Sequence, residues 1–262
     1  MTVKLAIQTR LDYGLPAPTD LIVQVEAAMV PEQLVENPAI GLSPVEHFAR
    51  VPGQDEIGER IMLRAADRLI VEYSATVTIR RVLARIEDLP AVPLHRLPGP
   101  TVAYLLESRY CPSHSFERFV AGEFPGLAGG ALVGAMVDYM RQHFRYVSGV
   151  STQATTALDT FVSREGVCRD YAHVVIALAR AASIPARIAS VYAPHVDPPD
   201  FHAVCEVFVG DAWHIVDATG MASGADCAKI AVGRDAADVA FLTSFGAASF
   251  NSQQISVRKL TA

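Results

Sequence analysis

Apolar and polar residues alternate along residues 71–80. Val71, Tyr73, Ala75, Val77 and Ile79 fall on one face, and Glu72, Ser74, Thr76, Thr78 and Arg80 on the other. That period of two is the signature of a strand with one buried face. Val3, Leu5 and Ile7 repeat the pattern, as do Leu21, Val23 and Val25. Turn-forming residues separate the runs from Gly14 to Pro18, at Pro52-Gly53 and at Gly58. Short antiparallel strands joined in this way predict a β-sandwich-like N-terminal domain over residues 1–98.

Four prolines in residues 88–100, DLPAVPLHRLPGP, mark a domain boundary, and the period changes beyond it. Leu132, Val133, Met136, Val137, Met140 and Phe144 recur at helical spacing over residues 131–144. Thr156, with Asp159 three residues on, opens a second helix with a capping box, and that helix ends near Gly166. A third helix is predicted from Cys168 to Ser183, with Tyr171, Val174, Val175, Leu178, Ala181 and Ala182 on its apolar face. Pro185 stops it. Strand-like segments follow at 187–192, 201–209 and 212–216. Helices first and a sheet after predict an α+β domain over residues 99–262.

Composition narrows the field. The chain has 262 residues, 51% of them hydrophobic, which is ample for a buried core. Charged residues make up 19%, the net charge is −6 and no basic block occurs, which argues against nucleic acid or an anionic membrane surface as partner. No apolar run approaches the ~20 residues that span a bilayer. The start, MTVKLAIQTRLDYG, has no apolar stretch ahead of its first charges, so the expected location is the cytoplasm. Cys111, Cys168, Cys205 and Cys227 form no C-x-x-C pair, and each is expected to be a free thiol.

One of these thiols occupies a chemically distinct place. In EGVCRDYAH, residues 165–173, a glycine closes one predicted helix and Cys168 opens the next. The first turn of a helix offers unpaired backbone N–H groups and the positive end of the dipole, which favour a thiolate and can receive an oxyanion. A thiol nucleophile also needs a base and a group to orient that base. His173 lies five residues along the same helix and points to another side. The segment FHAVCEVFV at 201–209 turns through Gly210-Asp211 and returns as AWHIVDAT. A two-residue loop pairs Val209 with Ala212, sets Val204 opposite Asp217 and makes Asp217 the diagonal neighbour of His202 on one face. His214 and Cys205 point the other way, so a zinc site from His202 and Cys205 is ruled out by alternation. Cys168, His202 and Asp217 are the candidate catalytic residues. Nothing in the chain calls for a metal or another cofactor.

These residues sit in stretches with a recognisable pattern. TTALDTFVSREGVCRDYAHVVIALARAASIPAR at 155–187, DFHAVCEVFVGDAWHIVDATG at 200–220 and VGRDAADVAFLTSFG at 232–246 resemble bacterial transglutaminase-like enzymes, a group also described as candidate cysteine proteases. YLLESRYCPS at 104–113 fits as well. The resemblance implies a papain-like α+β core, with Cys168 as nucleophile, His202 as base and Asp217 as the orienting acid. It implies thiol-dependent acyl transfer on a peptide or protein amide, either hydrolysis or cross-linking to an amine. A non-catalytic binding module on the same fold is the competing class. Many members carry His-Ala-Trp where this chain has His202-Ala203-Val204, and Trp213 lies on the returning strand. Arg234, Asp235 and Asp238 match the family's Gly-Arg-Asp-Ala run and either line the cleft or brace a loop. Asp170 is as open between a structural and a catalytic role, and Tyr146 and Tyr171 are expected in the core.

Overall fold

Alternating side chains build the first sheet. The computed structural model describes residues 2–260, and strand β1 runs over Val3–Val23. It buries Leu5, Ile7, Leu11, Tyr13, Leu15, Leu21 and Val23 while Lys4, Gln8 and Asp20 face solvent. Strands β2 (Gln33–Leu42), β3 (His47–Pro52) and β4 (Glu59–Ile79) follow. β4 pairs antiparallel with β1 along its whole length, and β2 and β3 flank its two halves. The stretch from Gly14 to Pro18, predicted as a turn, is instead a break in register between Leu15 and Thr19 within one strand. Pro16 and Pro18 have no N–H to give to a ladder, so the strand bulges there and pairing resumes beyond.

Residues 80–116 cross to the second half through short 3₁₀ turns. Helices α1 (Glu117–Glu123) and α2 (Gly129–His143) come next, then the two-residue strand β5 (Arg145–Tyr146), α3 (Ala157–Ser163), β6 (Glu165–Gly166) and α4 (Cys168–Ala181). Thr156 caps α3 with the capping box its sequence predicts, accepting the Asp159 N–H while Asp159 accepts the Thr156 N–H. α4 is buried from Asp170 to Arg180. It packs on strands β7 (Ala186–Tyr192) and β8 (His202–Val209) and against α2 and α3. With β9 (Ala212–Val216) and β10 (Ala228–Gly233) these strands form a second antiparallel sheet, in the order β10-β7-β8-β9.

The tail, placed with the second half by the sequence reading, returns to the first sheet. After α5 (Ala236–Val239), β11 (Leu242–Ser244) pairs with the end of β1, and β12 (Ser249–Lys259) covers β1 from Leu5 to Gly14. The six strands make one hydrogen-bonded sheet. β12 buries little except Ile255, so its sequence lacks the alternation that marks β4. Its physical role is to close an edge that would otherwise present unpaired backbone groups.

One continuous buried core joins the sheets. The Tyr192 hydroxyl donates to Val25 O at 2.7 Å and accepts from Thr9 Oγ1 at 3.0 Å. The Gln33 side chain bonds the backbone of Lys229 through both its amide nitrogen and its oxygen, at 2.9 and 2.7 Å. Beside these lies an ionic cluster. Glu206 is buried between Arg187 and Lys229, which also reach Asp55 and Glu32 from the first half of the chain. No helix of the described residues is long and apolar enough to cross a membrane.

Candidate active site

Cys168 is the first residue of α4, and the local sequence fixes it there. Asp170 is fully buried, and its Oδ2 accepts the Val167 N–H at 2.9 Å. Its Oδ1 accepts from Arg169 Nη2 at 2.9 Å. From the third position of the helix Asp170 thus bonds back to the N-cap residue Val167, a structural role at the helix start. Gly166 is required by the same contact, because a Cβ at that position would stand 2.7 Å from Asp170 Cβ. Cys168 is partly exposed, whereas Cys111, Cys205 and Cys227 are buried. Burial pushes the Cys111 thiol up to about 12 and raises those of Cys205 and Cys227 as well.

The hairpin has the predicted register. Val209 pairs with Ala212, Phe208 with Trp213, Val207 with His214 and Cys205 with Val216. Gly210 and Asp211 have φ of 57° and 63°, both in the left-handed region that a two-residue type I′ turn demands. Asp217 follows the last pair, and His202 Nε2 lies 2.9 Å from its Oδ2. Three further donors hold the carboxylate: the Thr219 N–H at 2.9 Å, the Thr219 hydroxyl at 2.7 Å and the Ala222 N–H at 2.8 Å. Burial acts to raise the Asp217 pKa, but the bonds from His202 and Thr219 outweigh it and hold the group below the ordinary carboxylate range.

His202 is buried and carries opposing influences. Burial alone would lower its pKa; the hydrogen bond to Asp217 and the Cys168 thiol beside the ring reverse the sign and raise it to about 9. Nε2 is committed to Asp217, and Nδ1 is buried with no hydrogen-bond partner in this resting arrangement. Nδ1 is thus the ring nitrogen that Asp217 leaves free. In a serine triad the carboxylate bonds Nδ1 instead and Nε2 is the nitrogen left free.

Tyr146, expected in the core, is also at this site. It is about a third exposed, and its hydroxyl lies against Cys168. Burial chiefly, and then the thiol's charge, raise its pKa to about 12, while the Cys168 backbone N–H acts on it in the opposite sense. The short parallel pairing of Tyr146 with Gly166 places it there. Tyr171 is buried, as expected.

The other singled-out residues brace the scaffold. Asp235 caps α5 through the Ala237 N–H and takes the Tyr110 N–H, both at 3.0 Å. Arg234 Nε pairs with Asp238 Oδ2 at 3.0 Å. His173 is buried, stacked 5.1 Å from the Tyr110 ring, and accepts the Ala236 N–H at 3.1 Å through Nε2. Cys205 is buried on β8, paired with Val216 of β9. Trp213 stacks on the Arg187 guanidinium at 4.1 Å, over the ionic cluster, and so does not replace the aromatic residue missing at Val204.

A transglutaminase-like superfamily model matches residues 121–218, a span that contains all three candidate residues. A solved structure from Cytophaga hutchinsonii, described as a "putative cysteine protease", is 33% identical, covers 100% of this chain and 92% of its own, and superposes with a TM-score of 0.94. The chain belongs to the transglutaminase-like superfamily. The periplasmic domain of TgpA from Pseudomonas aeruginosa also matches, at 18% identity and a TM-score of 0.40, over 82% of this chain and 87% of that one. Comparison with curated proteins finds no match.

Proposed function

We propose that this transglutaminase-like protein hydrolyses amide bonds through a Cys168, His202 and Asp217 triad and a thioester intermediate. The observation that carries this reading is a partly exposed thiol at a helix start beside a buried imidazole whose Nε2 is held 2.9 Å from a carboxylate. Nδ1 of His202 takes the thiol proton and leaves a thiolate–imidazolium pair. The thiolate attacks the carbonyl carbon of a peptide or protein amide, a C–S bond forms, and the π pair moves onto oxygen. The Cys168 N–H and the Tyr146 hydroxyl are the donors for that oxyanion. The imidazolium protonates the leaving nitrogen, the C–N bond breaks, and a thioester remains. Neutral His202 then deprotonates water, which attacks the thioester and releases the carboxylic acid and the thiol. An amine in place of water would cross-link. Hydrolysis is preferred because nothing in the chain marks a protein amine acceptor. Cytoplasmic location belongs to the same proposal.

Mass-spectrometric trapping tests the reading. Incubation with a peptide library should give a thioester adduct on Cys168 of the wild type and none on Cys168→Ala. Iodoacetamide at pH 7 should label Cys168 far ahead of the three buried thiols. Equal labelling of all four would instead indicate a binding module without chemistry.

The His202 shift gives a pH signature. A base whose pKa is raised in the folded protein keeps its proton up to the new value, so the imidazolium is present below about 9 and lost above it. Amide turnover needs that proton for the leaving nitrogen, whereas alkylation of the thiolate does not. Turnover should therefore fall with an apparent pKa near 9 while the iodoacetamide rate does not fall. Parallel loss of both rates would show that His202 is not the acid.

A further inference from the structure

A cavity of about 540 Å³ opens at the junction of the two sheets, and none of the three triad residues lines it. Four cationic side chains stand in its wall, Arg80, Arg81, Arg187 and Lys229, against two carboxylates, Glu32 and Glu206. Glu32 directly precedes β2, and Arg80 and Arg81 directly follow β4. Arg187, Glu206 and Lys229 come from three adjacent strands of the second sheet, β7, β8 and β10.

The buried ions of the floor satisfy one another. Arg187 pairs with Glu206 and Asp55, and Lys229 pairs with Glu206 and Glu32. The two consecutive arginines differ from them. Arg81 commits Nη1 to the carbonyls of Gly224 and Cys227. Its Nη2 is buried and makes no hydrogen bond; Glu32 Oε1 stands 3.6 Å away and is already held by Lys229. Arg80 is fixed at the rim by its backbone N–H, which donates to Glu32 O at 2.8 Å. Its guanidinium is exposed and, among the described residues, enters no ion pair. Arg81, Arg187 and Lys229 balance Glu32, Glu206 and Asp55, so Arg80 leaves the group with positive charge in excess.

A guanidinium N–H kept from water without an acceptor is destabilising, and an acceptor brought from outside removes that cost. Water would supply one, but the rest of the wall is apolar. Ile57, Val82 and Trp213 line the same cavity, and Val82 is 90% exposed at its mouth. A molecule with an oxyanion at one end and an apolar body at the other matches both parts of the wall, whereas water matches only the first. Guanidinium donors suit carboxylate and phosphate oxygens alike, and a cavity of this size accepts a small organic molecule.

We infer that this cavity binds a small organic anion, a carboxylate or phosphate carried on an apolar body. Its oxygens receive Arg81 Nη2 and the Arg80 guanidinium, and its body lies against Trp213 and Val82. The inference does not rest on the acyl-transfer reading, since the site shares no residue with the triad.

Trp213 is the only tryptophan of the chain, so its fluorescence reports on this cavity without a label. The full chain is titrated with benzoate, phenyl phosphate, inorganic phosphate and benzyl alcohol, and calorimetry detects any binding that leaves the indole emission unchanged. Benzoate or phenyl phosphate should saturate at millimolar concentration or below, and the tighter of the two names the head group. Benzyl alcohol and inorganic phosphate each lack one half of the match and should bind at least about tenfold more weakly. Arg80→Gln removes an exposed charge and breaks no internal bond; it should weaken the anion by roughly fivefold, and Arg80→Lys should restore most of the loss. Arg81→Gln, checked for folding by circular dichroism, should weaken it by roughly tenfold or more. Benzyl alcohol binding as well as benzoate would show an apolar hollow indifferent to charge and overturn the inference. Inorganic phosphate binding as well as phenyl phosphate would show a bare ion site and overturn it too. So would the absence of binding up to about 10 mM, or an affinity that Arg80→Gln leaves unchanged.

Discussion

Asp217→Asn should reduce amide turnover by roughly 10³-fold or more, although it changes one atom type and no volume. The reason lies in the donors around the carboxylate. Oδ1 accepts from the Thr219 N–H and hydroxyl, and Oδ2 accepts from the Ala222 N–H and lies against His202 Nε2. An asparagine amide must point its NH₂ at one of these two sets. Turned toward Thr219, it opposes a backbone N–H that cannot reorient. Turned toward Ala222, it opposes another backbone N–H and also donates to Nε2. Nε2 must then present its lone pair, which puts the ring proton on Nδ1. That tautomer cannot take the Cys168 proton, so the thiolate is lost along with the base. Iodoacetamide labelling of Cys168 at pH 7 should slow by about tenfold or more, since an ordinary thiol is only a few per cent thiolate there. Turnover and alkylation rates, measured on the same preparation with circular dichroism to confirm folding, check this. Unchanged alkylation would mean that Asp217 holds the loop rather than the ring. Thr219→Val, which removes one donor, should show a far smaller loss.

The same hairpin shows why part of the site was legible before any coordinates. Period two and a two-residue turn leave one register, and once Val209 pairs with Ala212 the diagonal relation of His202 to Asp217 follows by counting. The start of α4 was legible because Gly166 before a helical apolar pattern is a local signal. Tyr146 gave no such signal. It reaches Cys168 through a two-residue parallel pairing with Gly166, too short for periodicity and formed across a whole helix of intervening chain. Strand β12, grouped from sequence with residues 99–262, pairs with β1 of the first sheet. A tail that closes an exposed edge needs backbone groups rather than apolar side chains, and backbone groups leave no mark on composition. The turn predicted from Gly14 to Pro18 failed differently: prolines that end pairing locally were read as ending the strand, while β1 resumes beyond them.

Glu206→Ala should lower the stability of the fold by about 3–5 kcal/mol, with the thiol chemistry untouched until the protein unfolds. Glu206 is 1% exposed on β8, and its Oε2 accepts Arg187 Nε at 2.8 Å while Oε1 lies 2.8 Å from Lys229 Nζ. Burial works to raise its pKa, but the two cations outweigh that and hold it ionised below the ordinary range. Removing the carboxylate strands both cations. Arg187 keeps Asp55 at 2.9 Å and Lys229 keeps Glu32 at 3.2 Å, but those carboxylates come from the first half of the chain and are themselves partly hydrated. The junction between the sheets is therefore where the variant should loosen first. At about 2–4 °C per kcal/mol for a chain of this size, Tm should drop by roughly 10 °C. The loss should also depend on pH with a definite sign. A carboxyl whose folded pKa lies below its unfolded value stabilises the native state above the unfolded pKa, and that contribution disappears as the pH falls through the folded one. The wild type should thus lose stability on acidification more steeply than Glu206→Ala. A triple variant, Arg187→Met, Glu206→Leu and Lys229→Met, separates stranded charge from lost packing. Buried ionic groups replaced together by apolar side chains of similar size often leave stability unchanged or raised. Urea denaturation should place the triple variant close to the wild type and well above Glu206→Ala. A triple variant as unstable as the single one would show that the cluster holds the sheets together by its hydrogen-bond geometry and not by its charge balance.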